Sequence, residues 1–263
     1  MSAQVLCADE GPIVRVTLSN PGKRGAMSRA MWIELRAVFE RVPARAECRC
    51  VVLQGEGGAF CAGGDIAEYP AFRFDVAGLR AFHEGLVWPA LQALLACEVP
   101  VIAAIEGPCI GAGMELASAC DIRLASVDAR FGAPIAKLGF PMAPREAALV
   151  ARVAGEATAR EMLLQAVVLD AAEMKARGFL HQVLAGDALA AEVQARAARI
   201  ATLAPQAARL NKRTLRALNP LDAPTDEAQQ AIESIVSRAY DYADSAEHRE
   251  GIAAFLAKRP ARF

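Results

Sequence analysis

A glutamate lies in the first turn of a predicted helix, directly after a glycine-rich turn. The run Val101 to Ile105 is short, apolar and β-branched, which predicts a buried strand. After it, Gly111-Ala112-Gly113 leaves the backbone uncovered by bulky side chains, and good helix formers begin at Met114. We therefore expect unpaired N–H groups here, placed to stabilise an oxyanion. Glu115 is the candidate acid/base, because apolar surroundings raise the pKa of a carboxyl toward neutrality.

A second glycine-rich stretch follows another apolar strand, which runs from Cys50 to Leu53. It reads Gly55-Glu56-Gly57-Gly58-Ala59-Phe60-Cys61-Ala62-Gly63-Gly64-Asp65-Ile66. One strand followed by a glycine loop indicates little on its own. Two in one chain, each leading into a predicted helix, suggest that two backbone donors meet at one pocket.

The composition limits the possible functions. The 263 residues are 54% hydrophobic and carry a formal net charge of −1. A chain with this net charge has no excess of positive charge with which to bind nucleic acid or an anionic membrane surface. No apolar run reaches the roughly 18–20 residues needed to span a bilayer, and no secretory signal is recognisable. We expect one large domain or a domain with an appendage, located in the cytoplasm.

The cysteines and histidines do not predict a metal site. The chain has seven cysteines without metal-ligand spacing and only three histidines. Reduced, mostly buried thiols are the expected state, with a redox role for Cys61 as a minor alternative. His83 and His181 are expected to be structural or solvated. Asp121, at a helix–strand junction, is expected to be structural rather than catalytic.

Local patterns predict several further elements. Alternating residues on both sides of the turn Asp9–Pro12 predict an N-terminal β-hairpin. Ser28 is a candidate N-cap for a helix to about Arg41, and a long helix is expected from about Leu79 to Cys97, with Pro89 as a possible kink. Asp170 is expected to cap a short helix, and the chain from Asp187 onward is expected to be almost wholly helical.

The two glycine-rich stretches together resemble the enoyl-CoA hydratase/isomerase (crotonase) family. The matching residues are Ala-Phe-Cys-Ala-Gly-Gly-Asp and Pro-Val-Ile-Ala-Ala-Ile-Glu-Gly-Pro with Gly-Ala-Gly-Met-Glu-Leu, and the likeness runs from about Asn20 to the C-terminus. The resemblance implies an α/β fold, a crotonase-type spiral of ββα units with a helical C-terminal region. We accordingly expect a core at 1–195 and a helical oligomerisation region at 196–263, in a homotrimer or a dimer of trimers.

The resemblance also implies an acyl-CoA thioester substrate, with coenzyme A as part of that substrate and no separate cofactor. The N–H groups of Ala62 and Ala112 are expected to bind the thioester oxygen beside Glu115. The residues expected to bind the substrate or its coenzyme A are Lys23, Arg24, Ala26, Ala62, Gly63, Gly64, Asp65, Ile66, Gly111, Ala112, Ile135, Phe255 and Lys258. Gly25 stands where the family usually has Asn.

One position departs from the pattern of the family's hydratases. Their second catalytic glutamate follows a Phe-Gly-x-Pro tetrad, and here that position is Ile135, which cannot move a proton. Glu146 is a candidate for partial compensation, although an acid in the first turn of a helix, with Pro144 at N1, is the simpler interpretation. Three hypotheses remain: a hydratase/isomerase-type enzyme working through a thioester enolate, a lyase or decarboxylase on the same scaffold, and a non-catalytic acyl-CoA binder.

Overall fold

The fold is an α/β arrangement of a large sheet, a small sheet and surrounding helices. A computed structural model describes residues 2–42, 45, 47–203, 205–218, 237, 240 and 243–259. Its strands are β1 Gln4–Glu10, β2 Ile13–Ser19, β3 Cys50–Gly55, β4 Val101–Ile105, β5 Pro108–Ile110, β6 Ile122–Ser126, β7 Arg130–Gly132, β8 Val168–Asp170 and β9 Gln182–Leu184. The predicted N-terminal hairpin is confirmed, since β1 and β2 pair antiparallel across the turn at Gly11.

The helices connect these strands and cover them. They are α1 Arg29–Arg41, α2 Val76–Phe82, α3 Trp88–Ala96, α4 Ala112–Ala119, α5 Pro144–Ala154, α6 Glu156–Leu164, α7 Ala171–Ala176, α8 Gly186–Thr202, α9 Pro205–Leu218 and α10 Ala246–Leu256. Two predicted caps are confirmed: the Ser28 hydroxyl accepts from the Met31 N–H, and the Asp170 carboxylate accepts from the Glu173 N–H. The predicted helical tail lies partly outside the described residues.

The large sheet has the strand order β1-β2-β3-β4-β6-β9, and every pair after β1–β2 is parallel. Side chains alternate between its faces. Val51 and Val101 point into the main core beneath α1 and α3, whereas Val52 and Ile102 point to the opposite face, which α8 covers with Leu189, Val193 and Ala197. A sheet covered on both faces explains why β3 and β4 are apolar along nearly their whole length.

The parallel pairing of β3 and β4 determines where a site forms. Their carboxyl ends lie at the same edge of the sheet, where crevices of α/β folds bind ligands. β3 leads into the glycine-rich loop that contains Cys61 to Asp65. β4 leads through β5, a strand of the small sheet β5-β7-β8, into α4. Both glycine-rich stretches therefore leave the sheet side by side.

The expected helix from Leu79 to Cys97 is interrupted. α2 ends at Phe82, a π-helical turn covers His83–Val87, and α3 then runs to Ala96. Pro89, the residue that suggested a kink, lies in the first turn of α3, directly after the π-helical turn in which the Trp88 N–H donates to the His83 carbonyl. π-helical turns are frequent at functional sites, and this one begins at His83.

The expected boundary at residue 195 falls inside α8. This helix is continuous from Gly186 to Thr202, and residues on both sides of position 195 pack on the sheet. A division between 195 and 196 would cut a helix that packs on the core, whereas the expectation of helix from Asp187 onward agrees with the start of α8 at Gly186. Whether it mediates oligomerisation stays a prediction.

Gly251 lies where α10 packs closely against the rest of the molecule. A methyl group at this position would collide with the backbone carbonyl of Leu138. We expect Gly251→Ala to destabilise the protein by about 1–3 kcal/mol, as overpacking does, and to lower Tm by roughly 2–4 °C per kcal/mol. Gly186→Ala is the matched control in a helix, because no atom lies within 4 Å of its added methyl. Equal Tm values for the two variants would contradict the proposed packing of α10.

Candidate active site

The helix N-terminus expected at Gly111-Ala112-Gly113 is confirmed. Gly111 is the N-cap of α4 with φ 52° and ψ −109°, a conformation that favours glycine, and α4 begins at Ala112. The N–H of Ala112 therefore belongs to the first turn of a helix, where backbone donors have no partner within the helix. Glu115 lies in the same turn, and the whole of α4 is buried.

The two glycine-rich stretches contact each other directly. The Cys61 N–H donates to the Pro108 carbonyl at 2.8 Å, and the Ile110 N–H donates to the Cys61 carbonyl at 2.9 Å. A methyl group on Gly113 would come within 2.6 Å of that same Cys61 oxygen. Glycine at position 113 thus permits the close approach that brings the loop before Asp65 against the start of α4.

The expectation for Ala62 is wrong. Its N–H donates to the carbonyl of Arg24 at 3.0 Å and is therefore occupied. Two residues later, the chain pairs with Met27 on both sides of Gly64: the Met27 N–H donates to Gly63 and the Asp65 N–H donates to Met27, both at 2.8 Å. The Gly64 N–H itself has no acceptor among the described residues, and Gly64 borders a cavity. Gly64 replaces Ala62 as the candidate donor.

A cavity of about 660 Å³ joins the expected site residues. Of the residues singled out in the sequence, it is lined by Lys23, Ala26, Ala62, Gly63, Gly64, Asp65, Ile66, Gly111, Ala112, Glu115, Ile135, Phe255 and Lys258. Arg24 is not part of this lining; its backbone has φ 51° and its carbonyl holds the Ala62 N–H. A coenzyme A contact for Arg24 stays a prediction.

Glu115 is suited to hold a proton at neutral pH. Its side chain borders the cavity, yet the residue is only 8% exposed. Burial raises the pKa of Glu115 well above its usual range, and the nearby charge of Glu146 raises it further, while Arg73 acts in the opposite direction. A neutral carboxylic acid beside the first-turn N–H groups is thus the resting form that this environment favours.

Three further polar side chains lie near Glu115, and of these the sequence had offered only Glu146 as a candidate for the site. Arg73 and His83 line the cavity, and Glu146 lies behind them, 1% exposed, with its Oε1 3.1 Å from His83 Nδ1. Glu146 does lie in the first turn of α5 after Pro144, as the simpler interpretation held. The sequence contained no signal for this cluster, because its members come from separate segments with no common motif.

Lysines lie at the mouth of the cavity. Lys23 forms an ion pair with Asp65 at 2.6 Å, and its side chain is 47% exposed. Lys258 follows α10 in the left-handed region at φ 52°, and Lys137, which was not singled out in the sequence, also lines the cavity. Positive charges grouped there provide an electrostatic surface for phosphate groups.

The other residues considered in the sequence are structural. The Asp121 carboxylate accepts from the Val101 N–H at 2.7 Å and from Lys212 Nζ at 2.6 Å, which confirms its role at the junction. Cys61 is fully buried, and burial raises the pKa of its thiol to about 12, so that the reactive thiolate is disfavoured. Within the described ranges, no group of His, Cys, Asp and Glu side chains is arranged to hold a metal ion.

His248 makes stability depend on pH. Burial lowers the pKa of this histidine to about 4, so between about pH 4 and 6.5 the unfolded chain binds more protons than the folded one, and stability falls as pH decreases through that window. We expect the free energy of unfolding to depend less steeply on pH between those values in His248→Gln than in the wild type. The remaining titrating groups are common to both proteins. Parallel curves would contradict the prediction.

Comparisons with known proteins agree on one family. A family model described as Enoyl-CoA hydratase/isomerase matches residues 9–263. A relative from Rhodobacter capsulatus, named as a probable enoyl-CoA hydratase, is 34% identical over 251 residues, which are 94% of this chain and 93% of the relative. No helix in the described part of the chain is both long and apolar enough to cross a membrane.

Solved structures give the same result. A crystal structure of an enoyl-CoA hydratase/carnithine racemase from Magnetospirillum magneticum is 39% identical with a TM-score of 0.80, covering 98% of this chain and 94% of that one. A methylmalonyl-CoA decarboxylase in complex with 2-nitronate-propionyl-CoA has a TM-score of 0.85 at 23% identity, covering 100% and 99%, and this likeness concerns the fold alone. The expected crotonase-type fold is confirmed.

Proposed function

This chain belongs to the enoyl-CoA hydratase/isomerase family, and from that premise we propose that it transforms an acyl-CoA thioester through an enolate, with Glu115 as acid/base. The observation that carries the proposal is that Glu115 and the backbone at Gly64 and Ala112 border one cavity. The thioester oxygen would accept from both N–H groups, and the α-carbon would lie near Glu115. Two donors aimed at the same oxygen stabilise the negative charge that develops on it.

The mouth of the cavity supports coenzyme A as the other half of the substrate. Lys23, Lys137 and Lys258 border it, and phosphates of coenzyme A would be neutralised there. Phe255, which is 51% exposed at the end of α10, offers an aromatic surface for the adenine. No cofactor beyond the coenzyme A of the thioester is part of the proposal.

A lyase or decarboxylase reaction on the same scaffold is the second candidate. Ile135 lines the cavity without a proton to transfer, and burial raises the pKa of Glu115 well above its usual range, which favours the neutral acid. A neutral acid is poised to protonate an enolate that arises when a C–C bond breaks. Loss of CO₂ and retro-aldol cleavage both produce such an enolate, and each then requires one proton donor.

We also propose that the chain forms a homotrimer or a dimer of trimers. Val127, Leu164 and Val168 are 52%, 75% and 44% exposed, respectively, and each would be covered in an assembly. Sedimentation equilibrium measures the mass directly, and a monomer at micromolar concentration would contradict this part of the proposal.

The function is tested with a panel of acyl-CoA thioesters. Each thioester is incubated with the protein, and products are identified by mass spectrometry, while exchange of α-protons in D₂O is followed by NMR. The proposal requires at least one thioester that is turned over or exchanged by the wild type and not by Glu115→Gln. Tight binding without turnover or exchange would instead support a non-catalytic acyl-CoA binder.

A further inference from the structure

A chain of buried polar side chains lies next to Glu115 on the wall of the cavity. Arg73 and Glu146 are each only 1% exposed, and His248 is fully buried. His83 connects them to the cavity, since its side chain keeps 12% of its surface accessible and lines the space that Glu115 also lines. Buried polar groups at such density need specific hydrogen bonds, and these bonds fix their protonation.

The arginine determines the tautomer of both histidines. A guanidinium can only donate hydrogen bonds. Arg73 Nη1 lies 3.4 Å from His83 Nε2, and Arg73 Nε lies 3.2 Å from His248 Nε2. Both Nε2 atoms must therefore accept, so the proton of each neutral ring is on Nδ1. His83 then donates its Nδ1–H to Glu146, and His248 donates to the Ala243 carbonyl at 2.9 Å.

Glu146 supports His83 as a carboxylate behind an imidazole does in hydrolytic enzymes. It fixes the ring in one tautomer and stabilises the positive charge that appears when Nε2 gains a proton. Glu146 lies in the first turn of α5, where the helix dipole favours a negative charge. The charge of Glu146 also raises the pKa of Glu115, so the two carboxyl groups interact with each other.

We propose that His83 is a second proton-transfer group of this cavity, oriented by Glu146, and that it supplies what Ile135 lacks. This inference rests on the proposed function. It assigns the cavity both groups that addition of water to an enoyl thioester requires. Glu115 is the acid at the α-carbon, and His83 is the base for the water that attacks the β-carbon.

The addition of water involves two proton transfers, one at each group. His83 Nε2 takes a proton from water as the oxygen forms a bond to the β-carbon, and the electrons of the C=C bond move to the thioester oxygen as an enolate. The enolate then takes the proton of Glu115 at the α-carbon. The imidazolium returns its proton to solvent, and Glu115 regains one from solvent. The 3.4 Å contact with Arg73 is long for a hydrogen bond, and a substrate water would replace it.

A purely structural role of His83 would give a different experimental result. The His83 ring stacks on the Tyr240 ring with centroids 5.7 Å apart, and Arg73 lies over the Phe140 ring at 3.9 Å. If these contacts were the only purpose of His83, its replacement would lower stability and would affect all reactions at the site alike. A proton-transfer role instead predicts that replacing His83 slows the addition of water at the β-carbon and leaves proton transfer at the α-carbon unchanged.

The experiment uses two probes on the full-length protein. Hydration of crotonyl-CoA requires both groups, whereas exchange of the α-protons of butyryl-CoA in D₂O requires only Glu115, which removes the α-proton in its ionised form. We expect His83→Gln to lower the hydration rate about 100-fold, a typical contribution of one general base, and to leave exchange unchanged. Glu146→Gln keeps an acceptor for Nδ1–H but loses the charge, and we expect a smaller loss of hydration than in His83→Gln.

His181→Gln is the control, because this histidine lies outside the cavity lining and its Nδ1 accepts from the Arg123 backbone N–H. It should hydrate and exchange like the wild type. The inference is overturned if His83→Gln hydrates at the wild-type rate, if it loses hydration and exchange equally, or if the wild type exchanges without hydrating. In that last case the proposed function stands. If the wild type neither exchanges nor hydrates any thioester, the proposed function fails with it.

Discussion

Glu115→Gln should lower kcat on the physiological thioester by about 10⁴-fold, the upper end of what one general acid–base group contributes. Glutamine has nearly the same shape as glutamate, so the packing of α4 is kept, but an amide cannot transfer a proton. The effect is expected on kcat rather than on KM, because the lysines at the cavity mouth, rather than Glu115, would bind coenzyme A. Steady-state kinetics on a thioester from the panel give both values.

Asp121→Asn is the matched control for that variant. Asp121 is also an acid at an end of α4, but its carboxylate accepts from Val101 N–H and Lys212 Nζ and does not line the cavity. We expect lower stability and an unchanged kcat. An active Glu115→Gln, or an inactive but folded Asp121→Asn, would mean that the acid has been assigned to the wrong residue.

Ala112→Pro should remove one of the two donors to the thioester oxygen and leave the fold intact. Position 112 is the first residue of α4, where proline is favoured and where the N–H has no partner inside the helix. Gly111 before it has no side chain to clash with the ring. Losing one donor of this kind costs roughly 2.7–4 kcal/mol in the transition state, about 10²–10³-fold in kcat.

Ala112→Gly separates the loss of the N–H from the change of side chain. Glycine keeps the donor and differs only by a methyl group, so we expect kcat near the wild-type value, while circular dichroism and thermal unfolding check that both variants fold. If the proline variant retained full activity, the oxygen would have to be bound elsewhere. If both variants were equally slow, the side chain rather than the N–H would be responsible.

The sequence predicted those parts of the site that depend on local pattern. Val101 to Ile105 is the expected strand, and the expected helix follows it, although it begins at Ala112 rather than at Met114. Gly113 was expected to leave the backbone open to another molecule, whereas the group that lies against it is the Cys61 carbonyl of the same chain. These features depend on the backbone within a few residues, and sequence reasoning covers that distance well.

The donor on the other loop was placed two residues too early for a physical reason. The N–H of that loop that is available to the cavity is the one that has no backbone carbonyl as acceptor. The Ala62 N–H donates to the Arg24 carbonyl, and the residues on both sides of Gly64 form hydrogen bonds with Met27. Those partners lie on a different segment, and no spacing within the loop itself encodes them.

The cluster around Arg73 could not be predicted for a related reason. Its members come from the segment after Ile66–Ala71, the π-helical turn, α5 and α10, and only the tertiary fold brings them together. A histidine in a helical pattern and an acid after a proline each have ordinary explanations in sequence. Burial of both, at hydrogen-bond distance from each other, is what changes the interpretation.

The π-helical turn at His83–Val87 has a geometric consequence for the whole region. A turn of this kind contains one more residue than an α-helical turn, although the chain goes round the helix axis once in both. Deleting a single residue there would therefore restore an α-helical turn and leave α2 and α3 at nearly the same relative rotation, and only the side chains of the turn itself, that of His83 among them, would change direction. The extra residue thus redirects the side chains of one turn without requiring the two flanking helices to repack.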